Sequence, residues 1–235
     1  MRCALLKTIG IIGGMSWEST VTYYQLINRL TNEKLGGLHS AKCILSSVDF
    51  HEIEQLQARG EWEQAGEILS NEAIKLEQAG AACILLATNT MHQVADQIEQ
   101  NTRIPLLHIA DAVAEEAKSH NFSRVGLLGT KYTMKLDFFK DRLQSQDVET
   151  ILPKDEHMEE LNRVIFEELV FGKTTDSSRK YYLEAMEQLK QNGAEAIVLG
   201  CTEIGLLIQE KDFSLPLIDT VTVHAEKAVN WATTN

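Results

Sequence analysis

Short apolar runs alternate with longer amphipathic stretches along the chain. Three runs bounded by glycine or polar residues are predicted to be strands: TIGIIGG (8–14), AKCILSSVDF (41–50) and AACILLA (81–87). Two stretches with apolar residues at helical spacing are predicted to be helices, residues 16–35 and 61–80. Ser16 or Ser19 is placed to cap the first helix, and Gly80 ends the second. This strand–helix order predicts an α/β fold, and the lack of alternation in CILLA fits a parallel sheet covered on both faces.

The second half of the chain repeats the first. Three pairs of segments match in order, at offsets between 111 and 116: residues 76–90 with 189–203, 9–16 with 125–132, and 104–117 with 215–228. The chain is therefore expected to contain two similar α/β domains with parallel sheets. If they are related by a pseudo-two-fold axis, the strand ends of both domains line one active-site cleft, because ligands of open α/β sheets bind at the carboxyl ends of strands.

Composition narrows the class of protein. Of 235 residues, 44% are hydrophobic and 24% are charged, as is usual for a soluble globular protein. The net charge of −12 and the absence of long Lys/Arg runs argue against a nucleic-acid partner. No 18-residue apolar stretch predicts a membrane span, and the N-terminal apolar segment is too short for a signal peptide. The cysteines (Cys3, Cys43, Cys83 and Cys201) show no metal-binding spacing, so we expect reduced thiols, a cytoplasmic location and no metal.

The repeat places two polar junctions in equivalent positions. Thr88–Thr90 follows the strand of the first copy, and Cys201–Glu203 follows the strand of the second. Thr88–Thr90 is either a helix cap or a cluster that binds a carboxylate. Cys201 is either a buried structural cysteine or a thiol made reactive by the helix N-terminus that follows it. Glu203 is either a charge at that N-terminus or a contact for a substrate amine.

Other polar positions carry weaker signals. The loop after the first strand, IGGMS (12–16), lacks GxxxxGK[ST] and GxGxxG, so nucleotide binding is unsupported. Thr130 occupies the corresponding strand end in the second copy. His92 and His224 lie near the polar clusters, but a lone histidine is more often a core or helix-surface residue. Tyr23 is expected to pack.

Five segments resemble the aspartate/glutamate racemase family, in particular its small bacterial amino-acid racemases akin to aspartate racemase. They are IGIIGGMSWEST (9–20), SVDFHEIEQLQ (47–57), LLATNTMH (85–92), LLGTKYTM (127–134) and AIVLGCTEIGLL (196–207). The last resembles the second active-site signature of the family. The first signature ordinarily contains Cys-Asn-Thr, and here Thr88 stands where that cysteine is usual.

The resemblance implies two domains with strands exchanged late in each half, residues 1–103 plus 214–235 and residues 104–213. It also implies a homodimer and a reaction without pyridoxal phosphate or another cofactor. Cys201 is similar to the second catalytic cysteine, and Thr88 takes the position of the first. The resemblance further implies these substrate-binding residues: Met15, Ser16, Gln57, Asn89, Thr90, Thr130, Thr202 and Glu203.

The expected activity is a cofactor-independent racemisation of aspartate, glutamate or an amino acid of similar size. A hydroxyl is less acidic than a thiol by several pKa units, so Thr88 is a poor base near neutral pH. We therefore expect one enantiomer to be processed much better than the other. Two alternatives remain open: a one-cysteine decarboxylase or lyase of the same superfamily, and a substrate-binding protein with little turnover.

Overall fold

The computed structural model describes residues 6–234, so Cys3 and the start of the N-terminal apolar segment lie outside the described residues. The chain forms two compact units. The first contains the residues up to His108 and those from His224 onward, and the second contains Ile109–Val223. Strands and helices alternate in both units, as the apolar pattern predicts. Within the described range, no helix has the length and apolar content needed to cross a membrane.

The first unit has a parallel sheet with the strand order β2-β1-β3. Its elements are β1 (Ile9–Gly13), α1 (Trp17–Leu35), β2 (Cys43–Ser47), α2 (Phe50–Arg59), α3 (Trp62–Gln78), β3 (Cys83–Leu86), a 3₁₀ helix (Thr90–Val94) and α4 (Ala95–Asn101). Every residue of β1 and β3 is buried, whereas β2 at the sheet edge is partly exposed. The uninterrupted apolar runs therefore belong to strands that are covered on both faces.

The second unit has a parallel sheet with the strand order β5-β4-β6-β7. Its strands are β4 (Arg124–Gly129), β5 (Glu149–Ile151), β6 (Ala196–Gly200) and β7 (Leu217–Asp219). Its helices are α5 (Ile109–Ser119), α6 (Lys131–Lys135), α7 (Asp137–Gln144), α8 (Asp155–Glu167), α9 (Asp176–Gln191), α10 (Ile204–Leu207) and 3₁₀ helices at Leu169–Phe171 and Glu210–Asp212. The last helix, α11 (Thr220–Thr233), begins in the second unit and passes into the first at His224.

The strand registers confirm the internal repeat at the level of single residues. The β1–β3 and β4–β6 pairs share one register, since Ile12 pairs with Leu86 and, in the second unit, Leu128 pairs with Leu199. The next pairing in each sheet also corresponds: Ile84 pairs with Leu106, and Ile197 pairs with Leu217. Each member of a pair is related to its counterpart by the offset found in the sequence. The two polar junctions therefore occupy equivalent positions in their own sheets.

The expected exchange of strands is corrected by these pairings. Leu106 pairs with β3 inside the first unit, and β7 pairs with β6 inside the second. The chain leaves the first unit only after this pairing is made, at His108, and returns at His224. The observed limits therefore fall after the short strands, whereas the limits expected from the resemblance, 103/104 and 213/214, fall before them. The helical segment after the last strand of each half belongs to the other unit: residues from Ile109 onward belong to the second unit, and residues from His224 onward belong to the first.

Candidate active site

Cys201 lies directly after β6, at the carboxyl edge of the second sheet, and is 9% exposed. The chain turns tightly here, since the Ile204 N–H donates to the Cys201 carbonyl at 3.2 Å. This turn returns Glu203 to the thiol, whose Sγ lies 3.0 Å from Glu203 Oε2. The Thr202 hydroxyl donates to the same oxygen at 2.5 Å. One carboxylate oxygen thus accepts both hydrogen bonds.

The pKa of the Cys201 thiol is raised well above its ordinary value. Burial is the largest cause, followed by the charge of the Glu203 carboxylate and its hydrogen bond to the thiol. The backbone N–H groups of Thr202 and Glu203 oppose this shift without cancelling it. The expectation of a helix N-terminus that lowers the thiol pKa is therefore wrong. The following helix, α10, has only four residues, and the nearby carboxylate favours the protonated thiol.

Thr130 lies beside Cys201 at the same sheet edge, because β4 and β6 pair Gly129 with Gly200. The Thr130 hydroxyl caps α6 by accepting from the Thr133 N–H at 3.2 Å. The hydroxyl oxygens of Thr130 and Thr133 lie 3.1 Å apart. The two glycines are needed for this close approach. A Cβ added at Gly200 would lie 2.9 Å from the Leu128 carbonyl oxygen. The second unit thus gathers the predicted residues Thr130, Cys201, Thr202 and Glu203 at one edge.

Thr88 occupies the equivalent position after β3 in the first unit. It is partly buried, and its N–H donates to the Leu86 carbonyl at 2.8 Å. Asn89 and Thr90 are buried at the start of the 3₁₀ helix, at 6% and 8% exposure. Asn89 is the N-cap residue of that helix, but its side chain does not supply the capping hydrogen bond. The structure therefore disfavours the helix-cap interpretation of this cluster.

The loop after β1 and helix α2 supply the remaining predicted residues. Met15 is buried, and the Ser16 hydroxyl caps α1 by accepting from the Ser19 N–H at 3.2 Å. Gln57 is buried on α2, where its Nε2 donates to the Met91 sulfur at 2.7 Å. Since Met91 directly follows Thr90, this contact anchors Gln57 beside the β3 junction.

Residues 12–228 match the model of a family described as Asp/Glu/Hydantoin racemase. The chain belongs to this family. A crystal structure of a proposed Asp/Glu racemase from Yersinia pestis shares 50% identity with it and covers 97% of this chain and 100% of its own, at a TM-score of 0.93. An aspartate racemase homologue from Pyrococcus horikoshii OT3 shares 38% identity over 97% of this chain and 100% of its own, at a TM-score of 0.85.

Sequence identity to a relative with a described activity is lower. The broad-specificity amino-acid racemase RacX of Bacillus subtilis (strain 168) is 25% identical over 158 residues, which is 67% of this chain and 68% of RacX. The resemblance inferred from the sequence motifs and the α/β fold with two parallel sheets are thereby confirmed. Membership of the racemase family supports amino-acid racemase activity in general terms.

Sequence reasoning missed two features of this family member. One is the contact between Cys201 and Glu203, which depends on a turn that the sequence does not specify. The other is a buried group of His92, His108, His224 and Tyr23 in the first unit. Tyr23 and His224 are 201 positions apart in the chain, so local patterns carry no sign of their contact. Among the residues that the structure describes, no group of His, Cys, Asp and Glu side chains is arranged to hold a metal ion.

Proposed function

We propose that the protein is a cofactor-independent amino-acid racemase acting on aspartate, glutamate or an amino acid of similar size. The observation that carries the proposal is the buried Cys201 thiol, hydrogen-bonded to Glu203 at a strand end whose repeat equivalent is Thr88. Family membership supports the class of reaction. In this proposal Cys201 acts on one face of the substrate Cα, and Thr88 serves the opposite face.

The contact between Cys201 and Glu203 defines the first proton transfer. The Cys201 thiol must lose its proton to act as a base, and the Glu203 carboxylate, 3.0 Å away, is placed to take it. The thiolate then removes the Cα proton and becomes a thiol, while the C–H electron pair moves into the substrate α-carboxylate. Donors around that carboxylate stabilise the developing charge. Thr88, or a water molecule bound to it, returns a proton to the opposite face, and the alkoxide or hydroxide left behind recovers a proton from solvent while Glu203 releases the one it took.

Cα exchange that starts from the opposite enantiomer is expected to be slow. There Thr88 has to take the Cα proton, and its hydroxyl is weaker than a thiol as an acid by several pKa units. Each unit corresponds to about 1.4 kcal/mol, so the handicap amounts to several powers of ten in rate when Thr88 must ionise. The enzyme is therefore proposed to be asymmetric in Cα exchange: the enantiomer whose Cα proton faces Cys201 exchanges that proton much faster than the other. Net inversion keeps the same kcat/KM in both directions, because the two enantiomers have equal free energies.

The remaining predicted residues are proposed to hold the substrate. The hydroxyl, amide and backbone N–H groups of Asn89, Thr90, Thr130 and Thr202 suit an α-carboxylate and an α-amine. Met15 and Ser16 are proposed to line the pocket. Gln57 is proposed to contact the substrate side chain, with its amide already anchored by Met91. The homodimer and the cytoplasmic location implied by the resemblance stay predictions.

The test is incubation of separate L- and D-amino acids with the enzyme in deuterated water. NMR measures deuterium at Cα, and chiral chromatography separates exchange with retention from exchange with inversion. Retention requires only the face served by Cys201, whereas inversion requires both faces. Wild-type protein should incorporate deuterium at Cα when it is supplied with the better enantiomer of aspartate or glutamate, and Cys201→Ala should abolish this exchange. If folded wild-type protein gives no exchange with any enantiomer, the proposal is wrong.

A second candidate function follows from Thr88. A decarboxylase needs one proton donor only: the C–C bond of a malonate-type acid breaks, carbon dioxide leaves, and the Cys201 thiol protonates the carbanion. The raised pKa of Cys201 favours the protonated thiol that such a donor requires. Turnover of a malonate-type acid without exchange of any amino acid would favour this reaction over racemisation. Saturable amino-acid binding with neither reaction would identify a binding protein.

A further inference from the structure

Three buried histidines pack together inside the first unit, and one of them, His92, contacts the β3 junction. His92, His108 and His224 are at most 2% exposed. The His92 ring centroid lies 4.5 Å from that of His108 and 5.6 Å from that of His224, with the ring planes steeply inclined in both pairs. Burying imidazoles without using their polar atoms is unfavourable, so the hydrogen bonds of these rings indicate what the cluster does.

His92 contacts the backbone of Thr88 directly. Its Nδ1 lies 2.8 Å from the Thr88 carbonyl oxygen, and because a carbonyl can only accept, Nδ1 carries the hydrogen and donates. In an α-helix, the backbone N–H of residue 92 would bond to the carbonyl of residue 88. In this 3₁₀ helix, that N–H bonds to the Asn89 carbonyl at 3.1 Å instead. The imidazole thus takes over the carbonyl that the tighter helix leaves behind.

Other members of the cluster hold the His92 ring in place. The His224 ring, which packs on His92, is bound at both nitrogens. Its Nε2 donates to the Leu107 carbonyl at 2.5 Å, and its Nδ1 accepts from the Tyr23 hydroxyl at 2.9 Å. The two hydrogen bonds fix the orientation of the His224 ring. His92 therefore packs against an anchored ring, which restricts rotation of its own imidazole.

The second copy of the repeat has no such device. The offset that relates Thr88 to Cys201 relates His92 to Gly205, which has no side chain. A Cβ added at Gly205 would meet nothing within 4 Å. The imidazole is therefore specific to the half of the repeat that carries Thr88 and not a general requirement of the fold.

We propose that His92 is a positioning residue for Thr88: its Nδ1–H group holds the Thr88 carbonyl and thereby aims the Thr88 hydroxyl for proton return to the substrate. This inference rests on the proposed function. A threonine needs such support, because a weak proton donor contributes only when its distance and direction are right. A displacement of about 1 Å can lower a rate about 100-fold.

Matched variants separate positioning from general stability. His92→Asn places an amide N–H close to the position of Nδ1. His92→Leu introduces a side chain of nearly the same shape as asparagine but without a hydrogen-bond donor. His92→Gln keeps the amide but places it one methylene further from the backbone. The readout is the ratio of inversion to retention during Cα exchange in deuterated water, which does not depend on the fraction of folded enzyme. The ratio should fall about tenfold or more in His92→Leu and His92→Gln and stay within about threefold of wild type in His92→Asn.

A graded variant loosens the same cluster without touching Thr88. Tyr23→Phe deletes the hydroxyl that binds His224, so it should lower the melting temperature. Because the ring that packs against His92 is then held less firmly, the ratio should fall, but by less than in His92→Leu. A ¹H–¹⁵N spectrum of the imidazoles gives a readout independent of activity. It should show His92 as a neutral ring protonated at Nδ1, with slow exchange of that hydrogen.

The outcomes distinguish this inference from the proposed function. If wild-type protein exchanges no Cα proton, the proposed function fails and the positioning role fails with it. If wild type exchanges and inverts, but the Asn, Gln and Leu variants share one ratio, the function stands and the positioning role is overturned. A His92 ring protonated at Nε2 instead of Nδ1 also overturns it. If His92→Leu does not fold, the comparison of Asn with Gln decides.

Discussion

Replacing Glu203 by glutamine tests the origin of the unusual thiol. The substitution keeps the shape of the side chain and removes its charge, while Gln still offers a carbonyl oxygen to the Cys201 thiol. Because the carboxylate disfavours the thiolate, its removal should lower the pKa of Cys201. Burial is the largest cause of the raised pKa and is unchanged, so the thiol should not return fully to its ordinary value.

The geometry sets the size of the shift. Two unit charges separated by the 3.0 Å between Sγ and Oε2 repel by about 1.4 kcal/mol at a dielectric constant of about 80 and about 5.5 kcal/mol at about 20. These energies correspond to about 1 to 4 pKa units. The Thr202 hydroxyl already stabilises charge on this carboxylate oxygen, so we expect the lower part of the range, about 1 to 2 units.

The assay is alkylation of the folded protein across a pH series, followed by mass spectrometry of the Cys201 peptide. At a pH below both midpoints, each unit of decrease raises the thiolate fraction tenfold and lowers its intrinsic nucleophilicity about threefold, so alkylation should accelerate about threefold per unit. Cys83 and Cys43 provide internal controls, since burial raises their pKa values to about 12 and about 11 and neither touches Glu203. An unchanged or higher midpoint for Cys201 in Glu203→Gln would refute the assignment of the carboxylate.

Four further substitutions test other parts of the mechanism and the fold. Thr88→Cys should raise net inversion, measured by chiral chromatography, and bring the Cα exchange rates of the two enantiomers closer together; unchanged rates would exclude Thr88 as the weak base. Gly200→Ala should destabilise the protein by about 1–3 kcal/mol in denaturant unfolding, because its Cβ would crowd the β4 backbone, whereas Gly205→Ala in open space should be neutral or stabilising. Tyr182→Phe removes the buried hydrogen bond to a carbonyl of α8 and should cost about 1–3 kcal/mol; a stability equal to wild type would show that this bond contributes nothing.

The fold was predictable from two signals in the sequence. Apolar periodicity is a local property that indicates strands and helices, and the internal repeat is found by aligning one half of the chain with the other. The register of Ile12 with Leu86 recurs as Leu128 with Leu199 because both pairs derive from one repeated pattern. The boundaries of the two units were harder to predict from the sequence. They depend on which sheet receives residue 106 and β7, and pairing between strands is not encoded in either strand alone.

The candidate site was predictable in its residue types and not in its electrostatics. A helix after Cys201 predicted a low thiol pKa, but the helix is one turn long and a turn brings Glu203 onto the sulfur. In the first unit, His92 was expected to be an ordinary helix or core residue. The positioning role proposed for it depends on the packing of His108 and His224 against its ring, which requires the tertiary fold.

The most direct test of the central claim compares wild type, Thr88→Val and Cys201→Ala in deuterated water with the better enantiomer of aspartate or glutamate. Retention and inversion are measured in the same sample. We expect both retention and inversion for wild type, retention without inversion for Thr88→Val, and neither for Cys201→Ala. Inversion by Thr88→Val at the wild-type ratio, or exchange by Cys201→Ala at the wild-type rate, would contradict a mechanism in which a thiol serves one face of the substrate and a threonine serves the other.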